Sequence, residues 1–73
     1  MKHVGEYCKQ FRLNELNMTL KDIATDGNIK TISSFEHGKS TNMKHLFKYV
    51  DNCQDYKQKL NFFIGLIDVL ECD

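Results

Sequence analysis

Apolar residues recur along this chain at intervals of three and four, the spacing of one face of an α-helix. Val4, Tyr7, Cys8 and Phe11 set the first stripe and predict an amphipathic helix over residues 2–16, closed by Asn17, which tolerates the left-handed conformation. Thr19-Leu20-Lys21-Asp22 reads as an N-cap with an acid three residues on, a variant capping box. It opens a short second helix that turns Leu20, Ile23 and Ala24 inward and must stop at Asp26-Gly27-Asn28, the strongest turn signal in the chain. A third helix runs from Ile29 or Lys30 to His37, with Ile29, Ile32 and Phe35 as its apolar stripe and Gly38 as its C-cap. After the polar connector Lys39-Ser40-Thr41, Asn42 caps a fourth helix carrying Met43, Leu46, Phe47 and Val50. A break over residues 51–55 precedes a last helix, about residues 56–71. The expected fold is all-α, a compact five-helix bundle.

The last helix is apolar on more than one face: eight of the eleven positions from Leu60 to Leu70 are large and hydrophobic. A surface helix needs a stripe only about 100° wide. Either the other four helices cover this segment as a central rod, or one face meets the core and the other a second chain. So short a chain has little protein to spare for cover, which favours the second arrangement, with a homodimer as its simplest form. The candidate interface side chains are Phe62, Phe63, Leu66, Ile67 and Leu70.

Composition narrows the class. The chain has 73 residues, 41% hydrophobic and 27% charged, and no proline. That is one small domain, too apolar for a disordered tail and free of helix-breaking proline. No run approaches the roughly 20 apolar residues of a membrane span, and the early charges leave no room for a signal peptide. A cytoplasmic location is expected. Cys8, Cys53 and Cys72 make an odd count without close pairing, so no disulfide framework or zinc site is expected. Cys8 and Cys53 read as small core residues and Cys72 as an incidental thiol near the chain end. His3, His37 and His45 form no ligand pair with them, and no cofactor is implied.

The zero net charge hides an asymmetry. Residues 1–50 carry eight Lys/Arg against five Asp/Glu, whereas residues 51–73 carry two against five. The positive excess gathers at Lys30, Lys39, Lys44 and Lys48, with His37 and His45 among them and Glu36 alone opposing. A basic middle and an acidic end place a nucleic-acid surface and a second, different surface on one domain, unless these are simply solvated helix faces. Enzymatic signatures are missing from the sequence: no Gly-rich phosphate loop, metal-binding helix motif or nucleophile elbow occurs.

Two short helices joined by a Gly-containing turn form the pattern of a helix-turn-helix. The run Asn17-Met18-Thr19-Leu20-Lys21-Asp22-Ile23-Ala24, followed by Ile32-Ser33-Ser34-Phe35-Glu36-His37-Gly38-Lys39-Ser40, resembles the Cro/CI-type (XRE) helix-turn-helix family of phage repressors and bacterial regulators, and most closely its Rgg-like branch. The resemblance spans about residues 4–50. It implies a lambda-repressor-like motif within residues 1–50, with residues 51–73 as a C-terminal helix. It also implies that Glu36 pairs with Arg12 to lock the orientation of the third helix, whose N-terminal part enters the major groove of double-stranded operator DNA. On that reading Lys30, Thr31, Ser33 and Ser34 face bases and phosphates. Lys21, Lys39, Ser40, Thr41 and Asn42 lie at the DNA backbone.

The chain also departs from the family pattern. The segment from Ala24 to Gly38 is shorter than usual, Leu20 replaces a common phosphate-contacting glutamine, and the third helix carries no arginine. Two functions therefore stand side by side. One is a dimeric, sequence-specific DNA-binding transcriptional regulator of phage or mobile-element type. The other is an antirepressor or modulator that uses the same scaffold and its last helix to bind a partner regulator protein without touching DNA.

Overall fold

The computed structural model of the chain describes residues 2–24, 27–40 and 42–72. Asp26 and Thr41, and the side chains of His3 and Cys72, lie outside the described residues. Five α-helices and no strand occur among them: α1 (Lys2–Phe11), α2 (Leu20–Ile23), α3 (Ile29–Glu36), α4 (Leu46–Asp51) and α5 (Tyr56–Cys72). The radius of gyration, 11.3 Å, is that of a compact chain of this length, about 11 Å. No described helix is long and apolar enough to cross a membrane.

The first helix does not run uniformly to residue 16. After Phe11 the chain makes a π-helical turn, Arg12–Leu16. Val4, Cys8 and Phe11 are buried, and a straight α-helix would add Glu15 to the same face. The wider π turn rotates Glu15 out to solvent and carries Leu16 into the core. Asn17 ends the segment at φ 54°, left-handed as its residue type allows.

Thr19 and Asp22 form the reciprocal cap at the start of α2. The Asp22 N–H donates to Thr19 Oγ1 at 3.1 Å, and the Thr19 N–H donates to Asp22 Oδ2 at 3.0 Å. Ile23 and Ala24 are buried, and Gly27 turns the chain at φ 85° toward α3. Ile32 and Phe35 anchor α3, but Ile29 is half-exposed, because it sits at the open first position of the helix, beyond the elements that cover the next turn. At the other end Gly38 is left-handed at φ 78°. The Lys39 N–H donates to the Ser34 carbonyl at 2.9 Å and the Gly38 N–H to the Phe35 carbonyl at 3.1 Å, a Schellman closure.

Asn42 caps a single 3-10 turn, Met43–His45, by accepting from the Lys44 N–H at 3.1 Å. That turn corrects the expected stripe of the fourth helix. In a 3-10 turn positions i and i+3 eclipse, so Met43 aligns with Leu46 and Tyr49 rather than with Phe47. Tyr49 is fully buried and Phe47 is exposed.

Along α5, Phe62 is the aromatic hub. It meets Phe11 edge-on at 4.7 Å, Tyr7 at 5.5 Å and Tyr49 in a stacked pair at 6.3 Å. The Tyr7 hydroxyl donates to the Phe62 carbonyl at 2.7 Å, and its ring fills the space that a side chain at Gly65 would need. Phe62 and Leu66, expected at an interface, are core residues: both are buried, and Phe62 packs on Tyr7 and Phe11 of α1. Phe63, Ile67 and Leu70 do face outward, together with Leu60 and Ile64. α5 is a two-faced helix and not a covered rod.

Candidate nucleic-acid interface

The orientation of α3 is set by one carboxylate. Arg12 Nε donates to Glu36 Oε2 at 2.9 Å and Arg12 Nη2 to Glu36 Oε1 at 3.0 Å, a two-pronged contact between buried side chains. Arg12 Nη1 donates to the Met18 carbonyl at 3.0 Å, which ties the chain entering α2 to the same group. From α4, the Tyr49 hydroxyl donates to Glu36 Oε2 at 2.7 Å. No buried side-chain nitrogen or oxygen lacks a partner among the described residues. The bond to Glu36 raises the pKa of Arg12 above its ordinary value, so the guanidinium stays charged. Burial, followed by the bond to Glu36, pushes the Tyr49 phenol far above its usual range, so it stays a donor.

Gly5 completes the seat. A Cβ there would overlap the carbonyl oxygens of Phe35 and Glu36, so α1 passes the C-terminal end of α3 at backbone distance. On its other flank, Phe35 packs edge-on against His45 at 5.3 Å. Half-buried His45 thus contributes to packing as well as to the basic region.

With Ile32, Phe35 and Glu36 turned inward, helical geometry puts Lys30, Ser33, Ser34 and His37 on the opposite side of α3 and Thr31 on its flank. Lys30, Thr31 and His37 are exposed; Ser33 and Ser34 are half-buried. His37 Nδ1 lies 2.7 Å from the Ser33 carbonyl oxygen, a contact that needs the proton on Nδ1. Lys21 on α2 and Lys39 after α3 are exposed. Ser40 and Asn42 are partly engaged within their own loop: Ser40 Oγ accepts from the Asn42 N–H at 3.3 Å, and Asn42 is the cap described above. Thr41 lies outside the described residues. Because Glu36 is internal and neutralised, it does not offset the lysines at the surface. The outward charge of this region is more positive than its sequence tally.

Reading the residues alone identifies neither Tyr49 nor Gly5 as part of this arrangement. Tyr49 lies off the apolar spacing assumed for its helix, and only its two neighbours' carbonyls single out Gly5. Cys8 is buried, its thiol pushed up to about 12 by burial, and Cys53 is half-buried with its thiol donating to the Tyr49 carbonyl at 3.5 Å. Among the described residues no three His, Cys, Asp or Glu side chains converge as a metal site would require. The chain matches no family model, no curated protein and no solved structure.

Proposed function

We propose that this chain is a small cytoplasmic, sequence-specific DNA-binding regulator of phage or mobile-element type, with α2 and α3 as its helix-turn-helix. In this reading α3 enters the major groove of operator DNA, and two copies engage a palindromic site one helical turn apart. The observation that carries it is the seat of α3. A short helix whose inner face is fixed by Arg12, Tyr49 and Gly5 presents a lysine and three hydroxyls outward, without an exposed acid of its own. Lys30 and Lys39 supply phosphate attraction. Thr31, Ser33 and Ser34 contact base edges and backbone with the broad preferences of hydroxyl groups.

Fluorescence anisotropy with duplex DNA from upstream of its own gene tests this. Binding should weaken steeply with salt, and Lys30→Ala or Lys39→Ala should each reduce the logarithmic slope by about one. No anisotropy change at low salt, at protein concentrations where the dimer forms, would overturn the reading. The second reading, an antirepressor or modulator of another regulator, draws on a different observation: the exposed apolar side of α5. Isolation of a stable complex with a regulator encoded beside it, without DNA, would favour that alternative.

A further inference from the structure

The outward side chains of α5 are spaced as a coiled-coil seam. Leu60, Phe63, Ile67 and Leu70 follow each other at intervals of three, four and three, with Tyr56 four residues before them and Ile64 alongside. Their exposures are 44, 42, 54 and 45%, with Tyr56 at 74% and Ile64 at 59%. Each keeps more than two-fifths of its surface in solvent, while Phe62, Gly65 and Leu66 lie on the opposite side of the same helix, Phe62 and Gly65 against Tyr7 of α1. Together the six leave roughly 600 Å² of apolar surface per copy, at the top of the ~300–600 Å² patch of a typical monomer. Complete burial of it in two copies would reach about 1,200 Å², the lower edge of specific interfaces, and Leu60 to Leu70 supply most of that area.

The charges of α5 choose the orientation. Its first turn contains Lys57 and Lys59 and no acid; its last turns contain Asp68 and Glu71 and no base. At the start of the helix Asp55 offsets the lysines, its Oδ1 accepting from the Gln58 N–H at 2.8 Å. At the other end Asp68 and Glu71 oppose the helix dipole with no base beside them, so the unfavourable charge of a lone α5 lies at its C-terminal end. We infer that α5 pairs antiparallel with the α5 of a second copy of this chain, Leu60 layering on the partner's Leu70 and Phe63 on the partner's Ile67. In that register Ile64 lies beside its own counterpart near the two-fold axis. Lys57 then stands beside the partner's Glu71, twice by symmetry. The basic start of each helix neutralises the acidic end of the other, whereas parallel pairing would bring like charges together at both ends. The pair supplies the second copy that operator reading calls for, but it does not depend on DNA.

Light scattering and sedimentation of the full chain without DNA, from about 1 to 200 μM, test it. The expected result is a monomer–dimer equilibrium within that range. Ile67→Asp should leave a monomer throughout with unchanged helical circular dichroism, since this side chain is over half exposed. Lys57→Glu or Glu71→Lys alone should weaken the dimer about fivefold, and the double exchange should restore it to within about twofold. A chain monomeric at the highest concentration, or an Ile67→Asp dimer of unchanged affinity, overturns the pairing. A double exchange no better than the singles overturns the antiparallel register. Failure of DNA binding by an intact dimer would count against the regulator reading alone.

Discussion

Around Glu36, side chains from the first helical segment and from α4 converge on one carboxylate and leave no buried side-chain polar atom unpaired. Along α5, by contrast, five large apolar side chains from Leu60 to Leu70 face outward, each more than two-fifths exposed. The first region is closed: its energy depends on geometry within one chain, and its polar groups fix one orientation of α3. The second is open, and much of its apolar surface lies in solvent. Small domains rarely afford unused apolar area, because nearly all of it is needed to offset chain entropy. That makes the open stripe as informative as the closed cluster.

The largest break in this contrast comes from opening the closed side. Glu36→Ala strands a buried guanidinium and should cost about 3–5 kcal/mol in urea unfolding. Gly5→Ala, which drives a methyl group into the α3 carbonyls, should likewise cost several kcal/mol, about 3 or more. On the open side, Ile67→Asp should leave the monomer's unfolding free energy within about 0.5 kcal/mol. A Glu36→Ala variant as stable as the parent would show that the buried pair does not hold α3.

A smaller effect sharpens the same comparison through pH. Tyr49→Phe removes one donor to Glu36 while Arg12 keeps both of its bonds, and should cost about 1.5–3 kcal/mol near neutrality. Burial raises Cys8 and Tyr7 each to about 12, and Tyr49 further still. Groups whose pKa is raised on folding contribute stability that is complete below their unfolded values, 9.0 for Cys and 10.0 for Tyr, and that is lost as pH rises beyond them. The urea midpoint should therefore fall above pH 9.0, and less steeply in Tyr49→Phe. An alkaline slope unchanged in that variant would exclude Tyr49 as one of its sources.

The smallest expected change lies at the start of α2, away from both regions. Thr19→Ala should cost about 1 kcal/mol by removing one half of the reciprocal cap. The bonds to Thr19 lower the Asp22 pKa, so the cap's contribution is present above the ordinary carboxylate range and is lost as pH falls through the lowered value. Asp22→Asn should flatten that acid limb, as urea midpoints between about pH 5 and 2 would show.

Much of the architecture was legible from spacing and capping chemistry. The Thr19–Asp22 box, left-handed Asn17 and Gly38, and the inward positions of Ile32 and Phe35 on α3 follow from short-range rules that need no tertiary context, whereas Ile29 of the same stripe stays largely in solvent. The departures occur where the helical period itself changes. The π turn at Arg12–Leu16 rotates Glu15 outward, and the 3-10 turn at Met43–His45 exchanges Phe47 for Tyr49. A reading that assumes 3.6 residues per turn has no means of anticipating either. On α5 the excess of apolar residues was evident, but their division was not. Phe62 and Phe63 are adjacent and alike, and only the aromatic cluster of Tyr7, Phe11 and Tyr49 decides which of them turns inward. The Arg12–Glu36 pair entered through family resemblance, whereas its third member required the fold.

The sharing of one carboxylate also bears on how this sequence can diverge. Replacing Glu36 first strands Arg12, and replacing Arg12 first strands Glu36, so either order passes through a poorly folding intermediate. Position 49 is the gentler gate, since phenylalanine there fills the same volume and leaves the ion pair whole. Lineages that rebuild this cluster should accordingly lose the phenol before they lose either charge. The three hydroxyls and the one lysine across the helix are free to vary from one descendant to the next without disturbing what lies beneath them.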